Sequence, residues 1–182
     1  MAIQINGNGT ITGISVGGLP DGIVDTDMIA NNAVTNAKAT GIAGGKVLQC
    51  LSTSTTTDVS ATDENTWTDS GLSQAITMTS SSNKVLVMSH LYIYIYGNGE
   101  LGGYSRVLRG TTDLGKRSAF FPLNSSGSDD SQAQIVLDIF DTPGAGTHTY
   151  KVQGKPYSSA SDLTIHGGGD MYSTLTLLEI AA

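Results

Sequence analysis

A chain of 182 residues with 38% hydrophobic side chains, only 14% charged ones and 23 glycines has room for one ordinary domain and some extra length, and its composition leans toward turn-rich β-structure. A net charge of −7 with nine dispersed Lys and Arg argues against a nucleic-acid binder, because neutralising phosphates takes clustered cations. The single cysteine, Cys50, excludes an intramolecular disulfide framework and a cysteine-built zinc site.

Residues 1–46 contain almost no aromatic side chain and read as short apolar pairs punctuated by Gly, Asn and Asp. The N-terminus shows neither the basic start nor the apolar stretch of a secretory signal. No run approaches the ~18 apolar residues of a membrane span, so a soluble chain without membrane insertion is expected. Alternation in ITGISV predicts a short strand, Asn6-Gly7 and Asn8-Gly9 are turn signals, and in Leu19-Pro20-Asp21-Gly22 the proline sets φ and the glycine permits φ > 0. Asp27 to Lys38 has the pattern of one or two helical turns. So small an apolar set cannot order itself, and Ile11, Ile14, Val16, Ile23, Met28 and Ile29 are the expected anchors onto other chains. Gly44-Gly45-Lys46 reads as a hinge between this arm and a head domain, residues 47–182.

From Val47 the pattern is strand after strand. Strands are predicted near Val47–Ser54, Thr66–Gly71, Gln74–Thr79, Lys84–Tyr96, Gly103–Arg109, Ala133–Asp141, Gly146–Gln153, Asp162–Ile165 and Tyr172–Ile180, with Gly, Ser, Asn and Asp clusters between them. Such a series with no long helix predicts an all-β fold, an antiparallel jelly-roll β-sandwich. Cys50, within VLQCL, is expected to be a small buried hydrophobe. The run KVLVMSHLYIYIYG is apolar or aromatic on both faces. Val85, Val87, Leu91, Ile93 and Ile95 alternate with Leu86, Met88, Tyr92, Tyr94 and Tyr96, and His90 falls on the tyrosine side. A sandwich strand needs only one buried face, so His90, Tyr92, Tyr94 and Tyr96 are the expected subunit contacts. The closing YSTLTLLEIAA is expected to be packed into the fold.

Motifs of catalysis match by letter and fail by context. Gly13-Ile-Ser15-Val-Gly17 has the letters of a nucleophile elbow but is followed by a proline turn where a helix is required. Gly97-Asn-Gly99-Glu-Leu-Gly102 has the letters of a dinucleotide loop but runs into a strand, as a hairpin turn does. Asp63-Glu64 and Asp129-Asp130 lie in hydrophilic stretches where turn acids stay wet, unlike the paired carboxyl groups of a glycosidase. The histidines His90, His148 and His166 have no metal-ligand spacing, and no complete calcium loop is present. No enzyme activity, cofactor or metal is therefore expected.

The stretch ITGISVGGLPDGIVDTDMIANNAVTNAK resembles the N-terminal and stalk segments of tailed-bacteriophage fibre proteins, particularly of marine phages, in which Gly-Leu-Pro-Asp-Gly and Ile-Ala-x-Asn-Ala-Val-Thr-x-x-Lys recur; the latter spans Ile29 to Lys38 here. TWTDSGLSQAITMTSSSNKVLV, YSRVLRGTT and YSTLTLLEIAA resemble the globular heads of the same proteins. The resemblance implies a homotrimeric head similar to the jelly roll of the tumour-necrosis-factor and complement superfamily. It also implies a place in the virion, assembled in the bacterial host cytoplasm, with residues 1–46 bound to other capsid or tail proteins. One stalk unit, where familiar fibres carry many, favours a short head fibre, a capsid decoration or the distal piece of a tail. The alternative is a knob that binds a host surface glycan through Asn124, Asp129, Asp130, Tyr157 and Asp162.

Overall fold

The computed structural model describes residues 46–97, 101–121, 129–159, 161–166 and 171–182, together with two short strands, β1 (Gln4–Ile5) and β2 (Ile11–Thr12). The chain divides into two units, Met1–Ala43 and Gly44–Ala182. In the first, β1 and β2 pair antiparallel, Gln4 opposite Thr12 and Ile5 opposite Ile11. The predicted turns and helical segment of the arm, and the anchors Ile14, Val16, Ile23, Met28 and Ile29, lie outside the described residues.

The second unit contains β3 (Val47–Thr55), β4 (Val59–Ala61), β5 (Thr68–Met78), β6 (Lys84–Gly97), β7 (Leu101–Arg109), β8 (Thr112–Phe121), β9 (Asp129–Asp141), β10 (Gly146–Pro156), β11 (Ser161–Ile165) and β12 (Ser173–Ile180). They form two antiparallel sheets. One has the order β5-β10-β7-β8; the other has β3-β12-β6-β11-β4, with β9 also paired to β6. Strand β6 is the axis of the larger sheet. β9 covers one of its edges from Val85 to Gly97, while β12 and β11 share the other, β12 opposite Lys84–His90 and β11 opposite Ile93–Gly97.

Alternation decides which side chains enter the core. Val85, Val87, Leu91, Ile93 and Ile95 of β6 are fully buried, as are Val107, Tyr150, Val152, Leu163, Ile165, Leu175 and Leu177 from the strands beside or across from it. The sheets approach closely at two glycines. A Cβ on Gly103 would stand 2.3 Å from Leu163 Cδ1, and one on Gly154 would stand 2.9 Å from Ile165 Cδ1, so neither position admits a side chain without the neighbour moving.

Three expectations are corrected. The two strands predicted at Thr66–Gly71 and Gln74–Thr79 are one, β5; its register against β10 slips between Lys151 and Gln153, and Gly71 adopts φ +82°. The Gly-Leu-Ser stretch is thus a bulge inside a strand rather than a turn. β8 and β4 were not expected, because polar TDLGKRS and the three-residue β4 carry little apolar alternation. Cys50 is exposed: its inward neighbour on β3 is Leu51, so the cysteine falls on the outer side of the larger sheet.

Polar side chains bridge the sheets where the core ends. Glu179 of β12, fully buried, accepts hydrogen bonds from Asn83 Nδ2 (2.7 Å), the Thr79 backbone N–H (2.8 Å), the Thr79 hydroxyl (2.7 Å) and Gln49 Nε2 (2.6 Å). Burial alone would raise its pKa, but these donors outweigh it and lower the value from the ordinary 4.5 to about 2. At another margin Arg109 Nη1 lies 2.7 Å from both Asp141 carboxylate oxygens, and the Tyr150 hydroxyl donates to the same carboxylate at 2.7 Å. Burial first, and then donation to the Asp141 anion, raise the Tyr150 pKa.

Because the folded-state value of Glu179 is depressed, its contribution to stability is complete above about pH 4.5 and fades as pH falls from there toward 2. Glu179→Gln should lower the unfolding free energy at pH 7 by about 2–4 kcal/mol, since amide hydrogens would face the donors. It should also flatten the acid limb. Urea unfolding of both proteins from pH 7 to pH 2.5 checks this, and parallel acid limbs would show that Glu179 is not the responsible group.

Candidate interaction surface

The outward half of β6 is not polar. Leu86, Met88, His90, Tyr92 and Tyr94 are half-buried on that side and Tyr96 is 48% exposed. The register sets Leu86 between Leu178 of β12 and Phe140 of β9, and His90 between Thr174 and Val136. Phe140 is 64% exposed, a degree that an isolated sandwich has no reason to maintain for so large an apolar group. The Tyr92 and Tyr94 hydroxyls donate to neighbours on β9, Tyr92 to Gln132 and Tyr94 to Asp130 at 3.1 Å. Loss of hydration, together with donation to the Asp130 carboxylate, raises the Tyr94 pKa. These bonds hold the phenol rings down on the sheet and leave a broad aromatic surface.

A cavity of about 300 Å³ opens on this surface, lined by His90, Tyr92, Gln134, Met171, Tyr172 and Thr174. An interruption in the strand builds it. β11 and β12 lie along the same edge of β6, and His166, at φ +67°, ends the first segment. A β-carbon strains that backbone region, so the position needs compensation. The His166 backbone N–H donates to Tyr92 O at 2.9 Å, and the Tyr92 N–H donates to Ser173 Oγ at 2.8 Å. The ladder is thereby closed across the gap. The imidazole is fully buried; its Nε2 lies 2.7 Å from Ser70 O, in the β5 bulge, and its Nδ1 lies 2.6 Å from Ser173 Oγ. A carbonyl only accepts, so Nε2 carries a hydrogen. Past this joint Met171 and Tyr172 stand 44% and 61% exposed at the rim of the cavity.

The structure therefore brings His90, Tyr92, Tyr94 and Tyr96 to one face. Asp130 and Asp162, both expected in ligand loops, lie in β9 and β11 opposite Tyr96 and flank it. The Asp129-Asp130 pair is in a strand rather than in the expected wet loop, because β9 begins at Asp129. Tyr157 is elsewhere, past the end of β10, 5.9 Å from Tyr104 on the smaller sheet. Asn124 lies outside the described residues. Asp63 sits in a turn as expected, accepting from the Thr66 hydroxyl and the Asn65 N–H, which lower its pKa. Phe140, Met171, Tyr172 and the His166 joint were not singled out from the sequence. The only signal was the pair of large apolar residues Met171-Tyr172 beside a glycine run. Among the described residues, no group of three His, Cys, Asp or Glu could hold a metal ion, and no helix is long and apolar enough to cross a membrane.

A two-sheet antiparallel β-sandwich with an open apolar face is the class of protein that these elements define. No protein-family model matches the chain, and no curated protein does. Among solved structures, a chain in a structure of infectious bursal disease virus, Gx strain, matches 75% of this chain at 14% identity with a TM-score of 0.23; this chain spans 39% of the length of that one. A likeness of that size carries no inference about function.

Ser173→Ala removes both the acceptor of the Tyr92 N–H and one of the two partners of the buried imidazole. It should cost about 1–3 kcal/mol in urea unfolding. Hydrogen exchange at the Tyr92 amide should accelerate by more than that of core amides in β10. Equal acceleration at both places would show that the joint has no local role.

Proposed function

We propose that the protein is a structural, non-enzymatic subunit of a tailed-phage virion, a trimeric short fibre or capsid decoration anchored by residues 1–46. The observation that carries this reading is the unsatisfied outer face of the larger sheet, with Phe140, Tyr96, Met171 and Tyr172 exposed around a ready cavity. Burying one Phe side chain contributes about 1.5–3 kcal/mol, and a stable contact takes about 800 Å² per partner, which a sheet face can supply. A second copy of the chain is the natural occupant. Knob and hole, Phe140 and the His90–Tyr172 cavity, belong to the same face, and the acids Asp130 and Asp162 stand at the end of β6 opposite Lys84. Phe140 of one subunit entering the cavity of the next is a heterologous contact, which a three-fold rotation closes into a ring. The resemblance of the arm and the head segments to phage fibre proteins supports a trimer of jelly-roll type and a place in the virion. In this reading the arm joins the subunit to other virion proteins, with no nucleic acid, metal or catalytic step involved.

The solution mass of the full chain should be three times 18.8 kDa, and Phe140→Asp should shift it toward one chain while leaving the far-UV spectrum unchanged. A wild-type mass near 18.8 kDa would remove the assembly role from this face. A chain beginning at Gly45 should still fold and associate but should not be incorporated into particles when supplied during infection. Incorporation equal to that of the full chain would move anchoring to the head.

A further inference from the structure

The smaller sheet turns a different chemistry outward. Trp67, the chain's sole tryptophan, precedes β5; Tyr104 and Arg106 project from β7, and Lys151, Gln153 and Lys155 from β10. Tyr104 meets Trp67 edge-on at 6.5 Å and Tyr157 at 5.9 Å, so the three rings form a continuous band. The Arg106 guanidinium lies 4.4 Å from the centre of the indole, and Lys155 Nζ lies 5.4 Å from the centres of both Trp67 and Tyr104. Exposed Lys116, opposite Arg106 in the β7–β8 register, adds a further charge to the same side.

Nearby acids are mostly committed. Asp69 accepts from Gln153 and pairs with Lys151 at 3.2 Å, Asp63 serves its own turn, and Asp113 reaches Arg106 only at 3.4 Å. Among the described residues no carboxylate lies within ion-pair distance of Lys155, whose ammonium donates to the Glu64 carbonyl. Two like charges therefore share one indole ring, Arg106 with Asp113 at 3.4 Å and Lys155 with only the longer-range field of Asp63. An anion placed there would relieve their repulsion, and the half-buried rings beside them present apolar surface of the kind that packs on the C–H face of a sugar. A nucleic acid fits less well, since its repeating phosphates would meet a chain of net charge −7.

We propose that this band binds an acidic saccharide, a pyranose unit bearing a carboxylate, with Arg106 and Lys155 on the carboxylate and Trp67, Tyr104 and Tyr157 against the ring. The site lies on the sheet opposite the proposed assembly face, so it stays open in the oligomer and its test is independent of that reading. Because Trp67 is the sole tryptophan, the emission of the full-length protein reports on the site directly. Titration with a glucuronic acid oligomer should give a saturable change in emission that weakens with added salt. A glucose oligomer of equal length should bind at least about tenfold more weakly, as should the acidic oligomer to Lys155→Gln or Arg106→Gln protein of unchanged far-UV spectrum. Lys46→Gln, just before β3 of the other sheet, should leave the affinity unchanged. The proposal is overturned by absence of saturation, by equal binding of the two oligomers, by indifference to Lys155→Gln, by acetate competing as well as the acidic oligomer, or by tighter binding of a single-stranded oligonucleotide of equal charge.

Discussion

Strand β6 is hydrogen-bonded along both edges and apolar on both faces, and the rest of the molecule is arranged around that constraint. Its inward row supplies the middle of the core, which the smaller sheet must cover. Its two edges oblige β9 to run the whole length on one side and two shorter strands to share the other. Among the described residues, no further layer of the same unit lies over the outward row. An antiparallel sheet ordinarily faces water with polar residues on such a side. Here that side carries Leu86, Met88, Tyr92, Tyr94 and Tyr96, flanked by Phe140 and Leu178.

The core is held in register by polar joints as well as by packing. Glu179, His166 and the Arg109–Asp141–Tyr150 group each connect strands of one sheet to a strand or loop of the other. A buried polar group is costly when unpaired, so a slip of one residue in any of these strands would leave a carboxylate or an imidazole without partners. The joints therefore discriminate between registers that apolar side chains alone would tolerate. The His166 joint has a second consequence. By joining His166 and Ser173 to Tyr92 it holds the end of β11 and the start of β12 on one edge of β6, with Met171 and Tyr172 at the rim of the cavity.

The two outer faces of the sandwich differ in kind. The larger sheet offers largely apolar surface, with Asp130 and Asp162 flanking Tyr96 at one end of β6. The smaller sheet offers aromatic rings interleaved with cations, which remain favourable while partly hydrated and so suit a face that stays in contact with solvent. Among the described residues, Asp63 is engaged in a turn, Asp69, Asp113 and Asp141 in ion pairs, and Glu179 in a buried joint.

The sequence by itself determined the all-β class, most of the strands and the division of β6 into an inward aliphatic row and an outward aromatic one, because a period of two is a local property that a few consecutive residues display. It did not determine which strands are edges. Cys50 reads as buried in VLQCL and is exposed, since β3 borders the sheet and Gln49 and Leu51 take the inward side; polar β8 was missed because an edge strand needs little apolar alternation. The bulge at Gly71 was read as a turn, because glycine serves both and only the partner strand β10 distinguishes them. His166 is a lone histidine in sequence and becomes a buried joint through Ser70 and Ser173 on other strands. Trp67, Tyr104 and Tyr157 are separated by long stretches of chain and meet because β10 pairs with both β5 and β7. Contacts of that range are set by how the strands are ordered in the sheet, which is a property of the whole fold and of no single segment.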